Sequence, residues 1–500
     1  MYSLVENLDA VNKWMERYGV RFGIYKNGEF KEQLFPFDPI PRVITPEEWA
    51  YLEKGLAQRV KALNMFLADI YGEKKIVQDG IVPEAFIYAS KGYLPQCEGI
   101  RPPHSVFSHI SGIDLVQALD GSWFVLEDNL RIPSGASYPL IARIVTRKIN
   151  PETFTANHIE DNRDYPALLK KMMKSMNVNG GLNVVLTPGR YNSAFFEHSY
   201  LAERTGSVLA FPGDLVVEDG RVYYQNFSDE KALVGAVYRR VSDEYLDPMV
   251  FEPDSLLGVP NIMQAYAAGN VAIINTPGNG VADDKGIYYF VPKMVEYYLG
   301  EEPILQNAPT YLPYYKEDSD YVLANMEKLV IKDVSEAGGY GVVFGSDLEE
   351  AQLEELKQLI GLTSEIMGVD YEQLVKDGTA TYDFFAANAD GSTNVIITLE
   401  KVAPADVKLL NLETVYTQSA DVIDQTYAAM GFTEFDRKIK TVKISGVDHM
   451  VMDYVASVNG RSMYQSVLLI KGGDYLATVA LTTLDKAIAE SSYSNVYLVK

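Results

Sequence analysis

The chain has 500 residues and a formal charge of −24, from 68 acidic against 44 basic side chains. That balance argues against a broad electrostatic surface for nucleic acid or anionic membrane, although a few local cations and backbone N–H groups would suffice for one phosphate chain. Hydrophobic residues make up 47% of the chain and charged residues 22%, which excludes wholesale disorder. The single cysteine, Cys97, excludes an intramolecular disulfide framework and a multi-cysteine zinc or iron–sulfur site.

Signals for secretion and for membrane insertion are lacking in the sequence. The amino terminus has no basic stretch followed by an apolar run, and no window approaches the roughly 18 apolar residues of a membrane span. We therefore expect a soluble, cytoplasmic protein, and the length predicts about two to four domains.

Proline usage divides the chain into two unlike parts. Of the 23 prolines only Pro404 lies after Gly345, and all three tryptophans precede that residue. A run of acidic helix formers begins directly after Gly345, so the composition predicts a domain boundary near residues 346–350. No Gly/Ser-rich or Pro-rich linker marks this boundary.

The first informative element along the chain is a predicted β-hairpin at residues 112–131, with Asp120-Gly121 as a two-residue turn. In that register the numbers of facing residues sum to 241, so Asp114 faces Glu127, and strand alternation places Asn129 on the same face. Two carboxylates and an amide oxygen are the hard ligands that suit Mg²⁺ carrying substrate phosphates. The hairpin therefore predicts a metal site.

The alternative for this hairpin is a solvent-exposed element whose charges point at water. Against that alternative, the carboxylate face is expected to carry side chains that look buried, namely Val116, Ala118, Trp123 and Val125.

The region 180–270 alternates predicted strands and helices. Strands are predicted over 182–186 and 208–211, on either side of a helix over 193–204. Three arginines here are candidate anion contacts, with surface ion pairs as the alternative: Arg190, Arg239 and Arg240.

The stretch NTPGNGVADDKG (275–286) precedes a predicted helix over 287–298. Asp283 or Asp284 is a candidate cap for that helix. Lys285 at the helix start opposes the dipole preference for anions there, so a role in binding a ligand suits it better.

The stretch LVIKDVSEAGGYGVVFG (329–345) predicts a strand, a glycine-rich loop and a second strand. Glycines 338, 339 and 341 would let backbone N–H groups approach an anion, and Lys332 lies among apolar neighbours in the preceding strand. The spacing does not match a Walker loop, and an ordinary glycine-rich hairpin turn is the alternative.

The residues after 345 predict an antiparallel α+β domain. Helices are predicted over 350–373 and 419–430, and strands over 379–387, 393–399, 438–444, 449–457, 463–471 and 474–482. This pattern resembles the small PsbP/Mog1-like domains, and no motif in it carries chemistry. A binding or scaffold role, with a protein partner, is the expectation for this part.

Several longer motifs together resemble one family. They are FPFDPIPR (35–42), GLAQRVKALN (55–64), FVLEDNLRIPSG (124–135), LTPGRYNSAFFEH (186–198), YRRVSD (238–243), GVADDK (280–285) and GGYG (338–341). They resemble the circularly permuted ATP-grasp family (type 2), which is related to glutathionylspermidine synthetase. The resemblance covers about residues 15–345.

The resemblance implies ATP-dependent ligation of a carboxylate to an amine through an acyl phosphate. ATP and Mg²⁺ are the implied cofactors, and small-molecule or peptide carboxylates and amines the implied substrates. The implied site residues are Asp114, Glu127 and Asn129 for Mg²⁺; Lys285, Lys332, Gly338, Gly339 and Gly341 for the nucleotide; Arg131 as a catalytic phosphate contact; and Ser134 and Ser137 for the acyl substrate. Turn capping is the alternative for the two serines.

This sequence departs from the family pattern after the glycine loop. The family continues there into the rest of its nucleotide lobe, whereas this chain continues into the proline-poor segment. Three interpretations stay open: a ligase that completes its site in another way, a catalytically incomplete remnant joined to a binding or interaction domain, and a chimeric reading frame.

The predicted architecture is multidomain, combining α/β and α+β parts. It comprises a permuted ATP-grasp portion with the metal hairpin (1–179), an embedded pre-ATP-grasp-like α/β domain (180–270), a nucleotide-lobe portion (271–345) and a small antiparallel α+β domain (346–500). Neither a nucleic-acid partner nor a membrane span is expected.

Overall fold

The structure is a computed structural model that describes residues 8–26, 29–37, 41–225, 230–332, 342–350, 352–353, 356–357, 382–387, 393–401, 411–429, 432–444, 447–458, 461–472 and 475–491. The predicted flap glycines, most of the helix predicted over 350–373 and the beginning of the strand predicted over 379–387 lie outside these residues.

The described helices are numbered here in chain order. They are α1 (Leu8–Arg17), α2 (Pro46–Ile70), α3 (Lys75–Gln78), α4 (Glu84–Tyr88), α5 (Ser137–Ile149), α6 (Pro151–Ala156), α7 (Tyr165–Met176), α8 (Phe195–Thr205), α9 (Asp243–Leu246), α10 (Ile262–Ala267), α11 (Lys285–Tyr289), α12 (Val291–Leu299), α13 (Lys316–Asn325), α14 (Leu412–Ala429) and α15 (Lys486–Ser491). Within the described parts of the chain, no helix is both long and apolar enough to cross a membrane.

The described strands are numbered in the same way. They are β1 (Arg21–Lys26), β2 (Glu29–Leu34), β3 (Gly112–Gln117), β4 (Trp123–Asn129), β5 (Leu182–Leu186), β6 (Val208–Ala210), β7 (Leu215–Glu218), β8 (Arg221–Tyr224), β9 (Ala232–Arg239), β10 (Ala272–Ile274), β11 (Gln306–Asn307), β12 (Val330–Lys332), β13 (Val342–Phe344), β14 (Tyr382–Ala387), β15 (Thr393–Lys401), β16 (Glu434–Ile444), β17 (Val447–Val458), β18 (Arg461–Gly472) and β19 (Tyr475–Thr483).

The chain divides into two compact units. The first unit comprises Met1–Leu312 and Val330–Phe344, and the second comprises Pro313–Leu329 and Gly345–Lys500. The four-domain division expected from the sequence is a finer partition, and it stays a prediction.

A six-stranded mixed sheet forms one core of the first unit. Its order is β6-β5-β9-β8-β7, and β10 also pairs with β9. Strands β5, β6, β9 and β10 run parallel, and their apolar residues are buried, as parallel sheets covered on both faces require. The strand predicted over 182–186 is confirmed at both ends, and the helix predicted over 193–204 is α8.

A second sheet of the first unit positions the candidate site. It has the order β11-β4-β3, with β3 and β4 antiparallel and β11 parallel to β4. One face of β3 and β4 packs against helix α2 and the α11 region, through a cluster that includes Leu52, Trp123, Val125, Tyr288 and Leu305.

The helix predicted over 287–298 is divided into α11 and α12. The division falls at Phe290, because Pro292 lacks the N–H group that would continue α11 and is well tolerated in the first turn of a new helix.

The second unit contains a six-stranded antiparallel sheet in the order β14-β15-β19-β18-β17-β16. Helix α14 packs on this sheet through Tyr416 and Ala420, which contact the cluster of Met452 and Leu469. The helix begins at Leu412, seven residues earlier than predicted, because Asn411 Oδ1 accepts a hydrogen bond from Glu413 N (3.0 Å) and so caps it.

Candidate functional site

The predicted hairpin is present as β3 and β4, but its turn is longer than predicted. Ala118 N donates to Ser122 O (2.8 Å) and Gly121 N donates to Ala118 O (3.0 Å), so three residues form the loop rather than two. Asp120 favours this turn because its Oδ1 accepts from Ser122 N (3.0 Å), and Gly121 has the positive φ (+89°) that the last loop position requires. The prediction of a two-residue turn is therefore wrong.

A β-bulge in β4 nevertheless brings Asp114 opposite Glu127. Leu115 faces Val125 and Asp114 faces Glu127, so Leu126 has no partner across the hairpin. The extra residue of the bulge offsets the extra residue of the turn. The predicted pairing of Asp114 with Glu127 is confirmed, although two irregularities produce it.

The bulge also changes which side chains share the carboxylate face. Trp123 and Val125 lie on the opposite face, where they are buried against helix α2. Val116 and Ala118 belong to the open face and are exposed. The expectation that these four side chains are buried beside the carboxylates is wrong, because alternation is interrupted at Leu126.

Beyond the bulge Glu127 and Asn129 lie on the open face, and Asp128 between them enters the core. Asp128 is 1% exposed, and Arg59 of helix α2 is 2% exposed. Arg59 donates to both carboxylate oxygens, with Nε–Oδ1 at 2.7 Å and Nη2–Oδ2 at 2.5 Å. A bidentate pair of this kind offsets the cost of burying two charges.

Sequence reasoning missed this pair, although a signal for it was present. Arg59 lies on the buried stripe of α2, with helical spacing from Leu52, Gly55, Ala62 and Phe66. An arginine on such a stripe requires a buried anionic partner, because an unpaired charge in the core is costly.

The open face of the hairpin gathers five of the predicted site residues. Burial and repulsion from Glu127 raise the pKa of Asp114, whereas a hydrogen bond from Asn129 and the charge of Lys332 act in the opposite direction. Lys285 Nζ lies 3.8 Å from Glu127 Oε1. Two carboxylates, one amide and two lysines therefore lie within mutual electrostatic reach.

The donor set on this face fits a magnesium ion. Asp114, Glu127 and Asn129 offer only oxygen ligands, and a divalent cation would relieve the repulsion between the facing carboxylates. In the described residues no group of three or more His, Cys, Asp or Glu side chains could hold a metal ion. The amide oxygen of Asn129 is the third oxygen on this face, and its role as a metal ligand stays a prediction.

Lys332 belongs to a second, shorter hairpin. It ends β12, and it lies opposite Val342 at the start of β13. The predicted strand, loop and strand are therefore present as two short strands. Gly338, Gly339 and Gly341 fall between them, outside the described residues, so the phosphate flap stays a prediction.

The segment 275–285 is held against the end of β4 by buried amides. Asn275 is 2% exposed and Asn279 is fully buried. Asn275 Oδ1 accepts from Ile110 N (3.0 Å) and its Nδ2 donates to Leu130 O (2.6 Å). Asn279 Nδ2 in turn donates to Phe107 O (2.8 Å). The sequence pattern did not identify these two asparagines as structural ties, because each donates to the backbone of a distant residue.

Two adjacent aspartates then fix the start of helix α11. Asp284 caps the helix by accepting from Gly286 N (2.8 Å), which confirms one of the two candidate caps. Asp283 instead accepts from Leu130 N (2.5 Å) and Arg131 N (2.9 Å). Burial raises the pKa of Asp283 to about 7 despite these hydrogen bonds. Lys285 follows directly and is thereby placed beside the carboxylates.

The loop after β4 is organised by a buried glutamate from helix α8. Glu197 is 1% exposed and accepts from Gly135 N (2.9 Å), Ser134 Oγ (3.1 Å) and Ser137 Oγ (2.9 Å). Ser137 is fully buried, whereas Ser134 is exposed. These contacts support the turn-capping alternative for both serines, and contact with an acyl substrate stays a prediction.

The remaining candidate cations divide between surface and interior. Arg131 is 33% exposed and lies 3.9 Å from Glu244, and its catalytic role stays a prediction. Arg239 and Arg240 are buried, so the surface ion pairs considered for them do not occur. Arg239 Nη2 lies 3.0 Å from Asp243 Oδ1, and Arg240 Nη1 donates to the carbonyl before Ser134 (2.7 Å).

Comparison with known proteins shows which family the chain belongs to. A family model described as "A circularly permuted ATPgrasp" matches residues 41–365. The chain belongs to this family. The match includes the hairpin, the segment 275–285 and Lys332, and it extends past Gly345. The nearer relation to glutathionylspermidine synthetase and the PsbP/Mog1-like character of the C-terminal part stay predictions.

Several proteins are similar to this chain over about two thirds of its length. "Uncharacterized protein sll0335" of Synechocystis is 50% identical over 345 residues, which are 67% of this chain and 71% of that protein. "Uncharacterized protein Rv2411c" of Mycobacterium tuberculosis is 40% identical over 355 residues, 70% of this chain and 64% of that protein. "Putative glutamate--cysteine ligase 2-3" of Frankia alni is 40% identical over 348 residues, 68% of this chain and 40% of that protein.

Solved structures match this chain as well, among them one from Pseudomonas aeruginosa. It is titled "Crystal Structure of Protein of Unknown Function PA94 from Pseudomonas aeruginosa, Putative Regulator", with 13% identity over 24% of this chain and 84% of that chain. The TM-score of 0.18 is too low to carry an argument about the fold.

Proposed function

We propose that this chain is an ATP-dependent carboxylate–amine ligase that works through an acyl phosphate. The observation that carries the proposal is the open hairpin face, where Asp114, Glu127 and Asn129 meet Lys285 and Lys332. Membership in the ATP-grasp family supports the use of ATP at that face.

Each of these residues has an electrostatic task in the proposed site. Asp114, Glu127 and Asn129 would hold Mg²⁺, which when bound neutralises charge on the phosphoryl group being transferred. Lys285 and Lys332 would contact the nucleotide phosphates and stabilise the negative charge that moves to the leaving group. Without nucleotide, the ion pair between Lys285 and Glu127 balances charge on the same face.

The proposed reaction needs no nucleophilic side chain. A carboxylate oxygen of the acyl substrate attacks the γ-phosphorus of ATP, the bond to the β-phosphate oxygen breaks, and ADP leaves. The amine nitrogen of the second substrate then attacks the acyl carbon. The bond to the phosphate oxygen breaks, inorganic phosphate leaves, the amine proton passes to solvent, and an amide remains. The side chains bind and orient the reactants throughout.

The loop after β4 is the proposed location of the acyl substrate. Ser134 is exposed at its surface and is the serine able to contact a carboxylate, whereas buried Ser137 would act by holding the loop on Glu197. Arg131, between this loop and the metal strand, would contact the phosphate formed in the first step. Because the Frankia relatives carry names of glutamate–cysteine ligases, glutamate is the first carboxylate to test and cysteine the first amine.

Trapping of the acyl phosphate tests the ligase proposal. The full chain is incubated with Mg·ATP, hydroxylamine and a panel of amino acids that includes glutamate. We expect ADP and an amino-acid hydroxamate in equal amounts, and we expect Lys332→Ala to lose both products. Glu218→Ala is the control, because Glu218 pairs with Lys231 at the surface in a different sheet, and it should retain both products.

An ATP-binding protein without ligase activity is the second candidate. It is favoured by the second unit, whose antiparallel sheet begins beyond the end of the family match. Binding of Mg·ATP without ADP formation from any member of the carboxylate panel would contradict the ligase proposal and support this candidate.

A further inference from the structure

We infer that the buried ion pair between Arg59 and Asp128 sets the register of strand β4, so that Glu127 and Asn129 lie on the same open face as Asp114. Arg59 and Asp128 are thus positioning residues for the metal–nucleotide site, and the inference rests on the proposed function. Neither side chain lies on the open face, and both act through the backbone of β4.

Strand alternation by itself would put the wrong side chains on the open face. Trp123 and Val125 face the core, so an uninterrupted strand would turn Glu127 towards the core as well. A shift of one residue moves a whole set of side chains to the other face of a strand. The bulge at Leu126 makes that shift, and something must hold it in place because Leu126 has no partner in β3.

The contacts around the bulge hold the strand on both sides of Leu126. Before the bulge, Val125 O accepts from Ala308 N (2.7 Å) and from Tyr288 Oη (2.6 Å). After the bulge, Asp128 is bound by both arms of the Arg59 guanidinium. The two residues between these anchors, Leu126 and Glu127, are therefore bracketed by contacts that oppose a change of register.

Arg59 is itself fixed, so it gives Asp128 one position. Its Nη1 donates to Asn307 Oδ1 (2.8 Å), and its guanidinium lies 5.4 Å from the centre of the Tyr288 ring. Asn307 belongs to β11, which pairs with β4 at Val125. Arg59 therefore joins helix α2, strand β11 and strand β4 behind the open face.

The alternative register is costly because it separates this pair. If β4 lost its bulge, Asp128 would leave the core, and Glu127 would enter it one position earlier, away from the point where Arg59 binds both oxygens of Asp128. A buried ion pair that loses its good geometry no longer offsets the cost of burying its charges. The ion pair thus selects the bulged strand over the regular one, and with it the position of the two outward-facing ligands.

The test compares metal–nucleotide affinity with folding in three variants of the full chain. Asp128→Asn keeps the shape of the side chain and loses its charge. Arg59→Lys keeps the charge and loses the fork that binds both oxygens. The double variant R59M/D128L removes both charges, so neither is left unpaired in the core. Binding of Mn²⁺·ATP is measured by electron paramagnetic resonance, and folding by circular dichroism.

We expect all variants that fold to bind Mn²⁺·ATP about tenfold to 100-fold more weakly than the unchanged chain, as for other residues that orient metal ligands. The double variant is decisive, because it should fold well and still bind weakly. A folded double variant with unchanged affinity would overturn the inference, and so would a folded Asp128→Asn or Arg59→Lys variant with unchanged affinity.

The control separates loss of register from loss of stability. Asp247 is equally buried, and it accepts hydrogen bonds from Met249 N, from Asn261 N, and from Met263 N in the first turn of helix α10. Asp247→Asn should lower the melting temperature and leave the affinity of the folded chain unchanged. If the unchanged chain does not bind Mn²⁺·ATP, the proposed function fails; if it binds and the three variants bind equally well, only the positioning role fails.

Discussion

Acidic residues that are adjacent in the sequence have different surroundings at this site, because their side chains point in different directions. Glu127 faces the open side of the hairpin, whereas Asp128 is bonded to Arg59 in the core. In the same way Asp284 caps helix α11, whereas Asp283 accepts from the backbone that follows β4. The direction in which an acidic side chain points therefore decides its role here, since the residue type is the same or similar in each pair.

Asp283 should make stability depend on pH. Burial raises the pKa of Asp283 to about 7, above the value of 3.8 for an unperturbed aspartate. Between those values the folded chain holds a proton that the unfolded chain releases, so proton binding by Asp283 stabilises the fold. This contribution to the free energy of unfolding is fully present below pH 4 and is lost as the pH rises through 7. One pKa unit corresponds to about 1.4 kcal/mol, which limits the loss to a few kcal/mol.

The measurement is the difference in melting temperature between the unchanged chain and Asp283→Asn from pH 4 to pH 8. The asparagine keeps an oxygen that can accept from Leu130 N and Arg131 N, and the other titrating groups cancel in the difference. We expect the unchanged chain to lose its advantage over the variant as the pH rises. A difference that is constant or grows with pH would contradict the account of Asp283.

The sequence was sufficient for local relations between residues and insufficient for distant ones. The pairing of Asp114 with Glu127 could be predicted because both residues lie in one hairpin, although a bulge and a longer turn produce it. The pair of Arg59 and Asp128 joins residues 69 apart in the chain. No local pattern specifies which distant carboxylate an arginine on a helix will meet.

Among the elements, the segment 275–285 depends on a close approach of two backbones. A Cβ atom added at Gly92 would lie 2.0 Å from the carbonyl carbon of Gly280 and 2.3 Å from Val281 N. Only a glycine permits this contact. The segment places Asp283 and Lys285 next to the hairpin, so its contact with Gly92 affects the position of both side chains.

Gly92→Ala should therefore weaken both the fold and the site. We expect a loss of about 1–3 kcal/mol in unfolding free energy, as for other overpacked positions. We also expect weaker binding of Mg·ATP, because Lys285 would be displaced from Glu127. Gly213→Ala is the control, since a Cβ atom there meets nothing within 4 Å. A stable Gly92→Ala variant with unchanged affinity would refute this role of the contact.

Secondary structure was predictable where side-chain patterns are regular. The strand over 182–186 is apolar and buried, and its predicted ends are those observed. The prediction of one helix over 287–298 is wrong at Pro292, where the chain begins a new helix instead of continuing the first. Helix α14 begins earlier than the predicted residue 419 because Asn411, a residue type that favours helix starts, caps it.

On the scale of the whole molecule, the change in composition at Gly345 coincides with a change between compact units. The second unit also includes Pro313–Leu329, which proline usage assigned to the first part. The family match continues to residue 365, so the family boundary and the boundary between units differ. Composition therefore predicts that the chain contains two unlike parts. Contacts between distant segments decide which residues belong to each compact unit.

Calorimetry of the full chain should show that the nucleotide site belongs to the first unit. Each unit has its own buried core, so two unfolding transitions are expected. Mg·ATP should raise the temperature of one transition, and Gly92→Ala should lower the same one. An equal shift of both transitions would contradict the assignment and would mean that the second unit contributes to binding.

Isothermal titration of the full chain with Mg·ATP measures whether the open face of the β3–β4 hairpin binds the nucleotide as proposed. We expect one binding site per chain, loss of binding in Glu127→Ala, and unchanged binding in the surface control Glu218→Ala. Absence of binding to the unchanged chain at millimolar Mg·ATP, or unchanged affinity in Glu127→Ala, would contradict the proposed binding.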